Sequence, residues 1–175
     1  VVLLIPRSWE GVIRGFSIAA MLAAFVASLR LLFADYSTAD FNFVEQATWV
    51  TVNDYEAQLL QERTGMSPHE IAEHVDAMIV TKGSQGSVVY TKQHRHEIPA
   101  ATPAEINDPT GCGDAYRAGL LYGLLQGMDW EVTGRIAALM GAIKIEHHGT
   151  QNHSFTMDEF RDRYRHSFDM DPEVI

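Results

Sequence analysis

Short apolar runs alternate with segments that carry helix signals, and this alternation constrains the fold more than any other feature. Residues 47–52 (ATWVTV) are rich in β-branched side chains and predict a buried strand that ends at Asn53. Residues 54–63 predict a helix, and Gly65 follows it as a stop signal. A strand that gives way to a helix within a few residues is typical of an α/β protein.

The same succession repeats further along the chain. Residues 67–70 (SPHE) form a capping box with proline at the first helical position, so a second helix is predicted to begin there. Residues 77–81 (AMIVT) predict another apolar strand, and residues 82–86 predict a loop. Residues 87–91 and 96–99 predict two further short strands.

The last third of the chain predicts three helices. A glycine turn at residues 111–113 opens the first, and Asp129 caps the second, which is predicted to run towards His148. Residues 156–159 (TMDE) are another capping box and start the third. The complete order predicts an α/β fold in which helices cover a largely parallel sheet.

Composition narrows the classes of partner. The 175 residues suffice for one domain with a proper core. Thirteen Lys and Arg against 23 Asp and Glu give a net charge of −10, which argues against nucleic acid and against an anionic membrane surface as partners. The single cysteine, Cys112, allows no internal disulfide, and we expect a cytoplasmic protein.

The stretch 107–119 (NDPTGCGDAYRAG) carries the chemistry. Gly111 and Gly113 let consecutive backbone N–H groups converge at the positive end of the following helix, which is a ready anion site. Asp114, in the first helical turn, suits a general base that takes a proton from a hydroxyl while the amides stabilise a transferring phosphoryl group. The alternative is structural: Asp114 caps the helix and the glycines only form a turn.

Residues 108–121 (DPTGCGDAYRAGLL) resemble the C-terminal signature of the PfkB carbohydrate kinase family. The family usually has Gly-Ala-Gly-Asp where this chain has Gly111-Cys112-Gly113-Asp114. The resemblance implies a ribokinase-like three-layer sandwich and ATP-dependent phosphoryl transfer to an alcohol group. It also implies that Asp114 is the catalytic base and that the amides of Gly111, Cys112 and Gly113 form the anion hole.

Two further segments resemble the family in order and spacing. Asn53 and Glu56 match its Asn-x-x-Glu motif, which implies that they help to organise Mg²⁺ and phosphates; helix capping is the alternative. Thr81, Gly83 and Gly86 match the strand-to-loop segment whose backbone approaches the nucleotide, although Gly-x-x-Gly alone is usually a turn.

The resemblance also reaches residues 142–151, which would close around the adenine with Gly149 as the point of close approach. Asp108 is implied to line the cofactor site. Asp108 and the carbonyl groups near Gly149 are, in addition, implied as a place for a monovalent cation, as in some members of the family.

The resemblance divides the chain into two parts. Residues 43–175 correspond to the C-terminal nucleotide-binding and catalytic part of the kinase domain, so we expect an incomplete portion of the fold and a truncated chain. Residues 1–42 are expected not to match the family and form an unassigned leader. Its apolar stretch at 15–29 is too short to span a bilayer, and a packed helix or a poorly specified leader is preferred there over a secretory signal.

Three hypotheses about function follow. The first is a kinase that uses ATP and Mg²⁺ on a sugar or nucleoside. The second is an inactive kinase remnant that binds nucleotide or only packs against a partner. The third, a secreted or membrane-tethered protein, depends on residues 15–29 alone. An incomplete fold would leave sheet edges and apolar helix faces uncovered, which favours aggregation or assembly with another piece, and a homo-oligomer is one such assembly.

Overall fold

Four short strands and five α-helices make up residues 47–170, which is the part of the chain that the computed structural model describes. The elements in chain order are β1 Trp49–Asn53, α1 Asp54–Thr64, α2 Pro68–His74, β2 Ala77–Thr81, a 3-10 turn Gly83–Gln85, β3 Ser87–Tyr90, β4 Arg95–Ile98, α3 Cys112–Leu125, α4 Trp130–Ile145 and α5 Met157–Phe168. Each predicted strand and helix of this region is present, with ends that differ from the prediction by at most three residues.

The expectations for residues 1–42, including the apolar stretch at 15–29, lie outside the described residues. Among residues 47–170, no helix combines the length and the hydropathy that crossing a membrane requires.

The strands form one sheet in the order β1-β2-β3-β4. β1 and β2 run parallel, with Asn53 opposite Thr81, whereas β2–β3 and β3–β4 are antiparallel. The described sheet is therefore mixed rather than largely parallel. The reason is the length of the connections: residues 82–86 and 91–94 are too short for the crossover of a dozen or more residues that parallel neighbours need.

Helices cover the sheet on both faces, as the alternation along β2 requires. Met78 and Val80 pack in a cluster with Ile71 and Ala72 of α2. The intervening Ala77 and Ile79 point to the other face, where they pack with residues of α3 and α4. A strand buried on both faces explains why the sequence AMIVT is continuously apolar. The predicted three-layer α/β arrangement is confirmed.

The helix ends show which local signals decided the structure. Gly65 ends α1 in the left-handed conformation, with a φ of 70°, and Ser67 and Glu70 form the predicted capping box of α2. The predicted end of α4 near His148 is wrong, because the helix stops at Ile145. There the backbone amides of Asn107 and Asp108 both donate to the carbonyl oxygen of Ile145, at 2.9 and 3.0 Å, so a distant loop caps the helix.

Candidate active site

The start of α3 differs from an ordinary helix start because no side chain caps it. Gly111 takes the N-cap position in the left-handed conformation, with a φ of 84°. A Cβ on Gly111 would lie 3.2 Å from the Cα of Thr150, so the turn approaches that backbone closely. Within residues 47–170 the amides of Gly111, Gly113 and Asp114 donate to no acceptor, whereas Cys112 N donates to the carbonyl oxygen of Pro109 at 3.1 Å. Two of the three predicted anion-hole amides are therefore available.

A cavity of about 470 Å³ opens beside this turn, at the carboxyl end of the parallel strands. Its walls come from the β2–β3 turn, the segment 100–106, the start of α3 and one face of α4. The lining residues are Thr81, Gly83, Ser84, Gly86, Ala100, Ala101, Thr102, Pro103, Ile106, Cys112, Gly113, Tyr116, Ala138, Gly141, Ala142 and Ile145. Ligands of open α/β sheets bind at this edge, and the volume suits a drug-sized or nucleotide-sized molecule.

Five of the predicted site residues meet in this cavity, namely Thr81, Gly83, Gly86, Cys112 and Gly113. Gly86 is fixed by its surroundings, since a Cβ there would lie 2.1 Å from the carbonyl oxygen of Ile98. The face of α4 that lines the cavity takes up little space, because its residues Ala138, Gly141 and Ala142 are small. A second cavity, of about 430 Å³ and lined by Trp49, His94 and Trp130 among others, contains none of the predicted site residues.

Asp114 lies in the first turn of α3, next to the cavity-lining Gly113, and is not itself part of the cavity wall. Its carboxylate is 82% exposed, and Oδ1 accepts a hydrogen bond from Arg117 Nη1 at 3.1 Å. Oδ2 has no partner within the described residues. The side chain thus does not cap α3, and one carboxylate oxygen is open to solvent.

Asp108 joins two loops rather than facing the cavity. Its Oδ1 accepts from Thr110 N at 2.9 Å, and its Oδ2 accepts from Gly149 N at 2.8 Å. The hydrogen bonds from the Thr110 side chain and backbone, followed by that from Gly149, hold the pKa of this carboxyl far below its usual range. Gly149 is likewise engaged through its amide and does not line the cavity.

Asn53 and Glu56 form a capping box at the start of α1. Asn53 Oδ1 accepts from Glu56 N at 2.8 Å, and Glu56 Oε2 accepts from Asn53 N at 2.9 Å. Both side chains are exposed at the end of β1, beside the cavity-lining Thr81. No group of three His, Cys, Asp or Glu residues within 47–170 is arranged to hold a metal ion. Glu56 Oε1 remains open, which fits a Mg²⁺ that keeps most of its waters.

Comparison with known proteins identifies the family. Residues 18–157 match the family described as pfkB family carbohydrate kinase, which is well over half of the chain. The chain belongs to this family. The matched range includes all the site residues described above. It also includes residues 18–42, which were expected not to match the family.

Nucleoside kinases are among the most similar relatives of this pfkB-family chain. It is 38% identical over 120 residues to the nucleoside kinase of Methanocaldococcus jannaschii, which covers 69% of this chain and 40% of the relative. It is 30% identical to the nucleoside kinase of Methanothermobacter thermautotrophicus, over 70% of this chain and 39% of the relative. The chain thus spans about two fifths of the length of these relatives.

Solved structures agree with the predicted ribokinase-like fold. The nucleoside kinase of Burkholderia thailandensis in complex with inosine superposes with a TM-score of 0.75 at 43% identity, over 78% of this chain and 46% of that one. The M. jannaschii nucleoside kinase, an archaeal member of the ribokinase family, superposes with a TM-score of 0.68 at 36% identity. The fold class is confirmed for an incomplete portion of that fold.

Two side chains of the site were missed by sequence reasoning. The hydroxyl groups of Tyr116 and Ser87 lie 2.7 Å apart in the core, and Tyr116 lines the cavity from α3. Burial raises the pKa of the Tyr116 hydroxyl. Lys144 is completely buried near the end of α4. The sequence does indicate that Lys144 is unusual, since it is the one charged residue within the apolar run 136–145 (IAALMGAIKI).

Proposed function

We propose that this protein transfers the γ-phosphoryl group of ATP to a hydroxyl group of a nucleoside. The observation that carries the proposal is the cavity in which the β2–β3 turn and the Gly111–Gly113 turn meet beside unpaired amides. Nucleoside kinases among the most similar proteins support the choice of acceptor over a simple sugar. A further structure of the B. thailandensis enzyme is a complex with ADP-inosine, which is consistent with the same substrates.

The walls of the cavity suit the donor nucleotide. Ala101, Pro103 and Ile145 supply apolar surface for a flat base, and the small α4 face leaves room for it. The free amides of Gly111 and Gly113 lie at the positive end of α3, where phosphate oxygens replace the missing hydrogen-bond partners. In a chain with a net charge of −10, such backbone dipoles are the appropriate means of binding an anion.

Asp114 is assigned the proton transfer. Its open Oδ2 takes the proton of the acceptor hydroxyl while that oxygen forms a bond to the γ-phosphorus. The bond between the γ-phosphorus and the bridging oxygen breaks, and ADP leaves with the electron pair. Arg117 holds Oδ1 at 3.1 Å and so orients the carboxylate. The amides of Gly111 and Gly113 stabilise the negative charge on the transferring group.

Mg²⁺, when bound with the nucleotide, neutralises charge on the phosphate oxygens. Glu56 Oε1 and the end of β1 are the groups of this chain that would hold it, through water molecules. The capping box keeps Glu56 in place, because its other oxygen accepts from Asn53 N at 2.9 Å.

An inactive remnant that binds nucleotide is the second candidate. One observation favours it: Asp114 lies outside the cavity wall. Such a protein would keep the cavity and the amides but would not place a hydroxyl group against Asp114.

The experiment combines two measurements on the 175-residue chain. Calorimetry measures ADP binding, and a coupled assay measures ADP release from MgATP with inosine, adenosine, cytidine or ribose as acceptor. Binding together with nucleoside-dependent turnover supports the kinase. Binding without turnover supports the remnant, and failure to bind ADP contradicts both. Ribose as the preferred acceptor would overturn the choice of nucleoside.

A further inference from the structure

Lys144 is a charged side chain with no exposure to solvent. It lies in the last turn of α4, and its relative exposure is 0%. Its ammonium group donates to the carbonyl oxygen of Asp108 at 2.9 Å and to that of His147 at 3.0 Å. A buried ammonium is costly unless hydrogen bonds compensate it, so this position is built around the charge.

The two carbonyl groups belong to the two loops that flank the glycine turn. Asp108 begins the loop that leads to Gly111, and His147 lies in the loop that leads to Thr150. The Asp108 carboxylate ties the same loops together, because it accepts from both Thr110 N and Gly149 N. The position of the open α3 start is therefore set by one charged cluster with Lys144 at its centre.

The expected monovalent cation does not fit this arrangement. Resemblance to the family placed such an ion between Asp108 and the carbonyl groups near Gly149. Backbone carbonyl oxygens are suitable ligands for K⁺, but those of Asp108 and His147 already accept from the Lys144 ammonium. A metal ion there would lie against a fixed positive charge, which is electrostatically unfavourable.

We propose that the Lys144 ammonium is a built-in cation that replaces a bound monovalent metal ion at the Asp108–His147 loop junction. Lys144 is a positioning residue: it does not line the cavity and acts through the loops that hold Gly111 and Gly113. The consequence is that this protein needs no K⁺ or NH₄⁺ to order the junction. The loop effect on nucleotide binding rests on the proposed function, whereas the cation effect on folding does not.

The test compares thermal unfolding of the 175-residue chain in KCl, NH₄Cl and choline chloride at equal ionic strength. The wild-type protein is expected to have the same Tm in all three salts. Lys144→Ala removes the ammonium and leaves space, so its Tm in choline chloride falls by about 5 °C or more, and KCl or NH₄Cl restores part of the loss. Lys144→Met fills the space with an uncharged side chain, so KCl and NH₄Cl are not expected to restore the Tm that this variant loses.

Lys92→Met is the matched control, because Lys92 is an exposed lysine on the β3–β4 turn. It is expected to match the wild type in every salt. A Tm of the wild type that rises in KCl over choline chloride overturns the proposal, as does a Lys144→Ala protein that responds to K⁺ no more than the wild type. If Lys144→Ala fails to fold in any salt, the wild-type comparison decides alone.

ADP affinity is measured in parallel in the same salts. Wild-type affinity is expected to be independent of the cation, and that of Lys144→Ala to be lower in choline chloride than in KCl. An ADP affinity of the wild type that needs K⁺ overturns the proposal. If the wild type binds no ADP in any salt, the proposed function fails while the Tm comparison still tests the built-in cation.

Discussion

The N-termini of α3 and α5 begin in opposite ways. At α5, Thr156 Oγ1 accepts from Glu159 N at 3.2 Å and Glu159 Oε2 accepts from Thr156 N at 2.7 Å, so the helix start is closed by its own side chains. At α3, Gly111 offers no side chain, and the first-turn amides of Gly113 and Asp114 have no partner among residues 47–170. The same chain closes one helix start and leaves the other open.

The acidic residue is not what distinguishes the two sites. Asp114 pairs with Arg117 at 3.1 Å, and Asp158, in the first turn of α5, pairs with Arg161 at 3.6 Å with the same spacing of three residues. The two helix starts differ in the side-chain cap, which α5 has and α3 lacks, and in the cavity, which only the α3 start borders. Since unpaired amides are normally satisfied by side chains or water, an uncapped start that opens on a cavity indicates that a ligand completes it. α5 therefore supplies internal controls for α3.

The largest expected effect is on turnover. Asp114→Asn removes the proposed base, so the rate of phosphoryl transfer is expected to fall by about 10²–10⁴-fold. ADP affinity is expected to stay close to that of the wild type. Coupled assays of ADP release and calorimetry measure the two quantities.

Asp158→Asn is the matched control, since it makes the same change in the first turn of α5. It is expected to leave turnover unchanged. Equal rates for Asp114→Asn and the wild type would show that Asp114 is not the base. The two helix starts would then differ only in their backbone hydrogen bonding.

The next effect concerns the open backbone at α3. Gly111→Ala forces a left-handed residue to carry a Cβ, which costs about 1–2 kcal/mol of unfolding free energy, and this Cβ also meets Thr150 at 3.2 Å. We expect lower stability in urea unfolding together with weaker ADP binding. Gly127→Ala is the control, because its φ is 68° and its Cβ would meet no atom within 4 Å. A stability loss for Gly111→Ala no larger than that for Gly127→Ala would contradict the close approach.

A smaller effect is expected where the helix start is closed. Thr156→Ala removes the side-chain acceptor for Glu159 N and should lower the unfolding free energy by about 1 kcal/mol. ADP affinity should not change, because the α5 start does not border the cavity. Urea unfolding and calorimetry check both statements, and a change in ADP affinity would show that the two helix starts are not independent.

The smallest effect is a pH dependence at the closed start of α5. Hydrogen bonds from the Thr156 backbone and side chain hold the pKa of Glu159 below its ordinary value of 4.5. A lowered folded-state pKa adds stability that is present above the ordinary pKa and is lost as pH falls through the lowered value. The Tm difference between the wild type and Glu159→Gln should thus be largest near about pH 7 and shrink below about pH 4.5. A difference that grows on acidification would contradict the cap.

Local signals predicted most of the fold. The capping boxes at Ser67 and Thr156, the left-handed Gly65 and the apolar run of β2 each act over a few residues, so the sequence alone reveals them. The end of α4 was not predictable in this way, because the amides of Asn107 and Asp108, far away in sequence, decide it. The mixed sheet was not predicted, because the direction of a strand depends on the length of its connection and not on the local strand signals.

The candidate site, like the fold, was predictable where local sequence decides the structure. The structure brings the glycine turn at residues 111–113 and the loop at Gly83 to the same cavity, and the roles of these residues stay a prediction. The position of Asp108 and Gly149 outside the cavity wall was not predictable, because the Asp108 carboxylate accepts from Gly149 N at 2.8 Å across two loops. Pairings of this kind depend on tertiary contact, as does the burial of Lys144.

An amide NMR titration of ¹⁵N-labelled protein with ADP tests most directly whether the open start of α3 binds the phosphates. The signals of Gly111, Gly113 and Asp114 are expected to shift and saturate together, while those of Met157 and Asp158 at the start of α5 stay in place. Saturating ADP binding that leaves the α3 amides unshifted, or that moves the α5 amides as much, would contradict phosphate binding at α3.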